Sequence, residues 1–161
     1  LVSDPGNIFH FYIMAEILQR GIPENQVNSR IYRLIKSILT ARKAEIGMDV
    51  LLLYFLVWFL KIEGLMFKPD ICNNCFKKGL AIAFLRDDYR GILCSDCHSS
   101  ETIRVEREEL NLLRWVFVNP PERPMPGTDQ IDLKKNISLY IRKIEIHNDL
   151  TLKTKQYLQI D

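Results

Sequence analysis

Apolar residues recur at helical spacing in five stretches of this chain, and a segment of different texture separates the third from the fourth. The first stretch begins at Asp4-Pro5, where an acidic cap followed by proline in the first helical position is typical of a helix start. It ends at Gly21, with Pro23 just beyond. The inward positions predicted for this helix are Ile8, Phe11, Tyr12, Ala15 and Leu18.

The second and third stretches differ in how much of their surface is apolar. The second, at 26–42, has one apolar stripe opposite a charged face. The stripe comprises Val27, Ile31, Leu34, Ile35 and Ile38. The outer face shows Arg30, Arg33, Lys36 and Arg42. The third, at 46–62, is apolar nearly all round, so we predict that it is the central helix and that Gly64 ends it.

The longest apolar run lies inside this third helix, at 50–60. It holds eleven residues between Asp49 and Lys61. A membrane-spanning helix needs about 20 residues, so the run favours a buried core helix.

The segment at 69–99 carries all four cysteines and one predicted β-hairpin, from 81–85 through the polar turn 86–88 to 89–93. Helical periodicity then returns at 106–118, and a proline-rich loop follows at 119–127. The inward positions of that helix are Leu110, Leu113, Val116 and Phe117. The last helix is predicted at 131–146, with Leu133, Ile137, Tyr140, Ile141 and Ile144 as its inward stripe. Polar residues mostly away from this stripe are Lys134, Lys135, Ser138, Arg142 and Lys143.

Composition adds limits to this picture. The 161 residues are 47% hydrophobic and 26% charged, which is typical of a globular protein with a real core. A net charge of +2 does not by itself indicate a nucleic-acid partner. The chain has no signal peptide and does not start with methionine, so we expect Leu1 to lie within a longer protein.

The cysteines form two CxxC pairs, Cys72–Cys75 and Cys94–Cys97, separated by eighteen residues. This spacing is typical of a four-sulfur zinc site, because the hairpin brings both tight turns together around one ion. Four sulfur ligands leave no position for a catalytic water, so we predict structural Zn²⁺. Lys77 and Lys78 follow the first pair and are placed to offset the negative charge of the complex.

The sequence also leaves other roles for these cysteines open. Two disulfides would need an oxidising compartment. A thioredoxin-like motif would need a βαβ setting, which neither pair has. The run from Cys94 to His98 matches the c-type haem attachment pattern, and His98 could also replace one sulfur as a zinc ligand.

The sequence predicts a mainly α fold: a helical bundle, 1–68 and 100–161, with a four-cysteine zinc-binding β-hairpin inserted at 69–99. His10 and His147 have no partner at metalloprotease spacing, and no nucleophile-elbow, phosphate-loop or dinucleotide motif is present. We therefore predict a binding module and no catalytic residues. Candidate contacts with DNA or an acidic partner are Arg30, Arg33, Lys36, Lys134, Lys135, Arg142, Lys143, Lys153 and Lys155.

The arrangement resembles the helical and zinc-binding portion of the bacterial RecO recombination mediators. The apolar helix at 53–64 runs through a glycine into 67–72, which is similar to the family's approach to its first cysteine. Residues 91–97 resemble its second-pair motif, 152–158 resemble its tail, and the helix that begins around 9–12 also fits. No part of this chain matches the family's initial OB-fold domain, and Val57-Trp58 replaces an acidic residue often found in the central helix.

The resemblance implies a cytoplasmic, nucleoid-associated, non-enzymatic protein of DNA repair by homologous recombination. It implies binding to single- and double-stranded DNA, to RecR and to the acidic tail of the single-stranded-DNA-binding protein, which together help to load recombinase. Two alternatives are a zinc-ribbon adaptor for nucleic acid or transcription machinery, and a zinc-supported enzyme with dispersed catalytic residues.

Overall fold

A computed structural model describes residues 5–23, 28–86, 88, 90–100, 102–124 and 127–158. This part of the chain contains five α-helices and one small antiparallel sheet. The helices are α1 (Pro5–Gly21), α2 (Ser29–Lys43), α3 (Met48–Ile62), α4 (Arg107–Val118) and α5 (Leu133–Asn148). The strands are β1 (Ala83–Leu85), β2 (Ile92–Leu93) and β3 (Ile103–Val105). Two short 3-10 helices follow α4 and α5, at Thr128–Gln130 and Thr154–Leu158. The predicted mainly α class with an inserted hairpin is confirmed.

Helix α3 is the centre of the bundle, as its all-round apolar surface predicts. Ten of its fifteen residues are buried, and α1, α2, α4 and α5 all contact it. The left-handed backbone at Gly64, with φ of 74°, turns the chain away after the helix ends. Within the described residues, every helix is too short or too polar to cross a membrane.

Polar caps fix where the other helices begin. The Asn28 side chain accepts hydrogen bonds from the first N–H groups of α2, and Asp132 does the same for α5. Glu106 and Glu109 form a capping box at the start of α4. The caps place α2 at 29–43, and the predicted helix residues Gln26 and Val27, like the cap Asp4, lie outside the described residues.

The predicted inward stripe of α1 is only partly right: Phe11 and Leu18 pack against the core, but two other positions are wrong. Tyr12 is 48% exposed and Ala15 is also exposed, and the buried positions are His10, Ile13, Met14 and Ile17. The reason is a polar contact: His10 Nε2 lies 2.7 Å from Asp49 Oδ1 at the start of α3. Because α1 carries apolar side chains on more than one face, periodicity alone does not fix its rotation, and this pairing does.

The hairpin is confirmed, although its strands are shorter than predicted. Strand β1 lies in the middle of the order β2-β1-β3, with Leu85 opposite Ile92 on one side and Ile103 on the other. The third strand was not predicted, and it lies beyond the predicted segment boundary at residue 99. The division into segments at 68 and 99 stays a prediction.

A carboxylate in α1 holds the C-terminal 3-10 helix against the bundle. Glu16 accepts hydrogen bonds from the backbone N–H groups of Lys153 (3.0 Å) and Thr154 (2.9 Å), and from Thr154 Oγ1 (2.6 Å). Phe9 stacks on Tyr157 in the same contact, with ring centroids 4.8 Å apart. Burial by itself raises the pKa of Glu16, but these donors outweigh it and lower the pKa from 4.5 to about 2.

Acid should therefore release the 3-10 helix at Thr154–Leu158 from the bundle. A carboxylate whose pKa is lowered on folding stabilises the fold above its unfolded pKa, and that stability is lost as the pH falls from about 4.5 towards 2. We expect the amides of 153 and 154 to lose hydrogen-exchange protection across this window. In Glu16→Gln the same amides should exchange fast at all pH values. Protection that is unchanged in this variant would contradict the contact.

Candidate metal centre and binding surfaces

The first cysteine pair lies in a tight knuckle closed by backbone hydrogen bonds. Cys72 N–H donates to Lys77 O (2.9 Å), and Phe76 N–H donates to Cys72 O (3.0 Å). The turn requires left-handed backbone at Phe76 (φ 60°), a conformation that is costly for a residue with a side chain. Phe76 is also 73% exposed, so apolar packing does not offset the cost.

The second pair forms a similar turn and meets the first. The N–H groups of Cys97 and His98 both donate to Cys94 O at 3.1 Å. Asn73 joins the two knuckles, because its N–H donates to Ile92 O (2.8 Å) and its Oδ1 accepts from Ile92 N–H (3.0 Å). The four cysteine sulfurs consequently lie within 4.8 Å of one another.

The cluster suits a single cation. All four cysteines are free thiols, and the Sγ atoms of Cys75 and Cys94 are 3.6 Å apart, well beyond the disulfide bond length of about 2.0 Å. Burial raises the pKa of Cys72, but backbone N–H donors outweigh it and lower the pKa to about 6. For Cys75 the N–H of Lys77 lowers the pKa, but partial desolvation and the other three sulfurs together raise it. A divalent ion removes this competition by stabilising all four thiolates.

His98 is not part of the sulfur cluster. Its ring stacks on Phe84 of β1 with centroids 3.8 Å apart, and its Nδ1 lies 2.7 Å from Ser95 O. Lys77 acts on the charge of the sulfurs, as predicted, and it also has an acidic partner. Lys77 Nζ bonds Asp96 Oδ2 (3.1 Å), so its charge bridges the two knuckles as well as acting on the sulfurs.

An arginine of α4 attaches the knuckles to the helical bundle. The Arg114 guanidinium pairs with Asp70 and donates to the carbonyl oxygens of Pro69 (3.3 Å) and Leu80 (2.8 Å). It therefore contacts the chain on both sides of the first cysteine pair. The sequence offered no signal for this role, because an arginine at the edge of an amphipathic helix is ordinarily solvated.

Three of the predicted basic contacts interact with carboxylates. Lys135 Nζ lies 3.4 Å from Glu109 Oε1, and the charge of Lys134 acts on Asp49 at the start of α3. Lys155 Nζ bonds Glu145 Oε2 (3.0 Å). Lys36, Arg142 and Lys153 are exposed.

The expectation that Lys143 faces outward is wrong. This residue is only 4% exposed, and its ammonium lies 5.2 Å from the centre of the Phe67 ring. The side chain of α5 at this position points toward the segment that connects α3 to the first knuckle, and its long stem is covered there.

Arg30 and Arg33 lie at the rim of a cavity between α2 and α3. The cavity has a volume of about 300 Å³ and an apolar floor. Its other lining residues are Leu34, Ser37, Tyr54, Trp58 and Ile62.

Two aromatic side chains of α3 make the floor rigid. Trp58 Nε1 donates to Val116 O (3.0 Å), and Tyr54 Oη donates to Asn119 O (3.0 Å). Burial, with the nearby charge of Glu122, raises the pKa of Tyr54 to about 12, so its hydroxyl stays protonated and donates. Both residues belong to the helix that the sequence predicts as central. Their polar groups, one helical turn apart, were the available signal that the orientation of each ring is fixed by a hydrogen bond.

The family model for the C-terminal part of recombination protein O matches residues 2–142 of this chain. The chain belongs to the RecO family. The match spans both cysteine pairs and the α2–α3 cavity, so the resemblance found in the sequence is confirmed.

Two curated relatives show how much of a RecO protein this chain covers. DNA repair protein RecO of Dehalococcoides mccartyi is 26% identical over 131 residues, which is 79% of this chain and 49% of the relative. DNA repair protein RecO of Bacillus pumilus is 25% identical over 153 residues, which is 90% of this chain and 57% of the relative. The chain thus spans about half the length of the curated relatives it matches. No solved structure gives a significant match.

The junction between the knuckles should not tolerate a methyl group at Gly91. A Cβ there would meet the Asn73 side chain at 2.5 Å, and that side chain is held by its bond to Ile92. We expect Gly91→Ala to lower the free energy of unfolding by about 1–3 kcal/mol and to expose the Ile92 amide to hydrogen exchange. Gly47→Ala is the control, because nothing lies within 4 Å of its added Cβ. Equal stability of the two variants would contradict the described junction.

Proposed function

We propose that this chain is a non-enzymatic, zinc-stabilised part of a RecO recombination mediator, which acts in DNA repair by binding partner proteins and DNA. The observation that carries the proposal is the family match over 2–142, which includes four cysteines whose sulfurs converge on one point. Binding to RecR and help in loading recombinase are proposed from the family alone.

We propose Zn²⁺ as the ion and the four sulfurs as its complete ligand set. Thiolates are soft ligands that favour zinc, and a closed shell of four sulfurs gives a structural site. The knuckles bury little apolar surface of their own, since the residues from Asn73 to Gly79 are all exposed. Metal binding then supplies folding free energy that packing does not provide here.

Loss of one ligand should disorder the knuckles and spare the bundle. We expect Cys72→Ser to lose bound zinc and the hydrogen-exchange protection of the Asn73 and Ile92 amides, while helical circular dichroism is largely kept. Metal content by mass spectrometry and amide exchange would measure this. His98→Ala is the control and should keep its zinc, because His98 stacks outside the sulfur cluster. Full zinc content in Cys72→Ser would contradict the four-sulfur site.

The α2–α3 cavity is the proposed docking site for an acidic peptide that ends in an aromatic residue. The apolar floor formed by Tyr54 and Trp58 suits an aromatic side chain, and the rim arginines, Arg30 and Arg33, suit carboxylates. The acidic tail of the single-stranded-DNA-binding protein, which the family is expected to engage, has this chemistry. Most of the affinity should come from the buried aromatic residue, and the arginines should make it dependent on salt.

A synthetic acidic peptide ending in Phe tests this docking by fluorescence polarisation. We expect Arg33→Gln to weaken binding about tenfold, corresponding to about 1.4 kcal/mol, and added salt to weaken the wild type. Lys36→Gln is the matched control, because Lys36 lies on the same helix but does not line the cavity. Equal affinity of the two variants would contradict the site. Failure of the wild type to bind the peptide would favour the zinc-ribbon adaptor hypothesis.

A further inference from the structure

A second surface, lined by different residues from the α2–α3 cavity, follows the last two turns of α5. Two open cavities of about 690 and 620 Å³ meet at Ile146, which is 55% exposed. The first lies between α5, the chain just after α3 and the hairpin tip. The second lies between α5, the end of α1 and the C-terminal tail. Because both are lined by Ile146, we take them as one surface, which we call the α5 groove.

The α5 groove is lined by basic side chains from four parts of the chain. They are Arg20 of α1, Arg90 of the hairpin tip, Arg142, Lys143 and His147 of α5, and Lys153 of the tail. These residues are distant in sequence, so the groove is a product of the tertiary structure.

The acidic residues of the groove are largely neutralised from outside it. Asp88 pairs with Arg86 (3.1 Å), which does not line the groove. Glu145 accepts from Lys155 Nζ (3.0 Å) and from Leu152 N–H (2.7 Å). The remaining acidic lining residue is Asp149. On the basic side, Arg20 pairs with Glu16 (3.2 Å), which also lies outside the groove. The lining still holds five Arg and Lys side chains against three carboxylates, an excess of positive charge in a chain whose net charge is only +2.

Lys143 is a cation of the groove that is largely shielded from water. It is 4% exposed yet lines the first cavity, and burial lowers its pKa to about 8 against the opposing effect of Asp88. Lys143 is therefore partly desolvated, so an anion that reaches it gains more than it would from a surface lysine.

We propose that the α5 groove binds the phosphodiester backbone of one nucleic-acid strand. This inference deepens the DNA-binding part of the proposed function and is independent of the peptide site. A polymer fits better than a compact anion because the cations are spread along the groove instead of converging on one point. Two turns of α5 extend for about 10 Å, which matches about three nucleotides at about 3.4 Å each. The exposed Ile146 side chain offers an apolar contact to a sugar or base between the phosphates.

Fluorescence anisotropy of the 161-residue chain with a labelled oligothymidylate tests the inference. The test variant is Arg90→Gln with Arg142→Gln, since both residues are exposed and come from opposite ends of the groove. The control is Lys43→Gln with Arg107→Gln, which removes the same charge from exposed positions outside it. We expect the test variant to lose about tenfold or more in affinity, and its salt slope to fall by about two, one per lost phosphate contact. The control should change less than twofold.

Three further measurements make the result decisive. Lys143→Met keeps an apolar stem over Phe67, and adding it should weaken DNA binding further. If this variant does not fold, the variant with Arg90→Gln and Arg142→Gln still tests the inference, because both of its positions are exposed. The groove variant should bind the acidic peptide normally, and Arg33→Gln should bind DNA normally. A test variant that binds DNA like its control would overturn the inference, regardless of its affinity for the acidic peptide. Loss of peptide binding by the groove variant, with DNA binding unchanged, would instead count against the proposed docking site.

Discussion

Burial of α3 on every side is the constraint on which the rest of this structure depends. Its buried residues include Leu51, Leu52, Leu53, Phe55 and Leu56, and each such side chain gains about 1.5–3 kcal/mol on leaving water. No single neighbour can cover a helix that is apolar all round, so four helices must surround it. That requirement brings α1 and α5 together with α2 and α4 although they are far apart in sequence. It also fixes the point at which the chain leaves the bundle for the cysteine knuckles.

The central helix also creates the cavity that we assign to a partner peptide. Tyr54 and Trp58 carry a hydroxyl and an indole N–H, which would be costly to bury without partners. Both find carbonyl oxygens at the end of α4, and this fixes one edge of each ring. Both residues also line the cavity beside α2. A requirement of folding, the pairing of buried polar groups, thus produces a rigid apolar floor for recognition.

The cysteine knuckles depend on interactions of a different kind. Their residues are mostly exposed, and the left-handed Phe76 and Gly79 are held by hydrogen bonds instead of by packing. At Cys75 the N–H of Lys77 lowers the pKa, but the neighbouring sulfurs raise it, an opposition that a bound cation would remove. The Arg114 guanidinium and the buried strand residues Leu85 and Ile92 join this unit to the bundle. In the proposed zinc-bound form the metal would order the knuckles locally, and the Arg114 contacts from α4 hold them against the bundle.

The sequence by itself determined the features that depend on local pattern: the five helices, the central place of α3, the hairpin, the pairing of CxxC turns and the family. These follow from periodicity, caps and spacing, which act over a few residues. Only the tertiary structure decided the rotation of α1, because His10 finds Asp49 thirty-nine positions away. It also buried Lys143 beside Phe67 and gathered Arg20, Arg90 and Lys153 along α5. Charges and hydrogen bonds act between residues that folding brings together, and the order of residues along a chain does not record those distances.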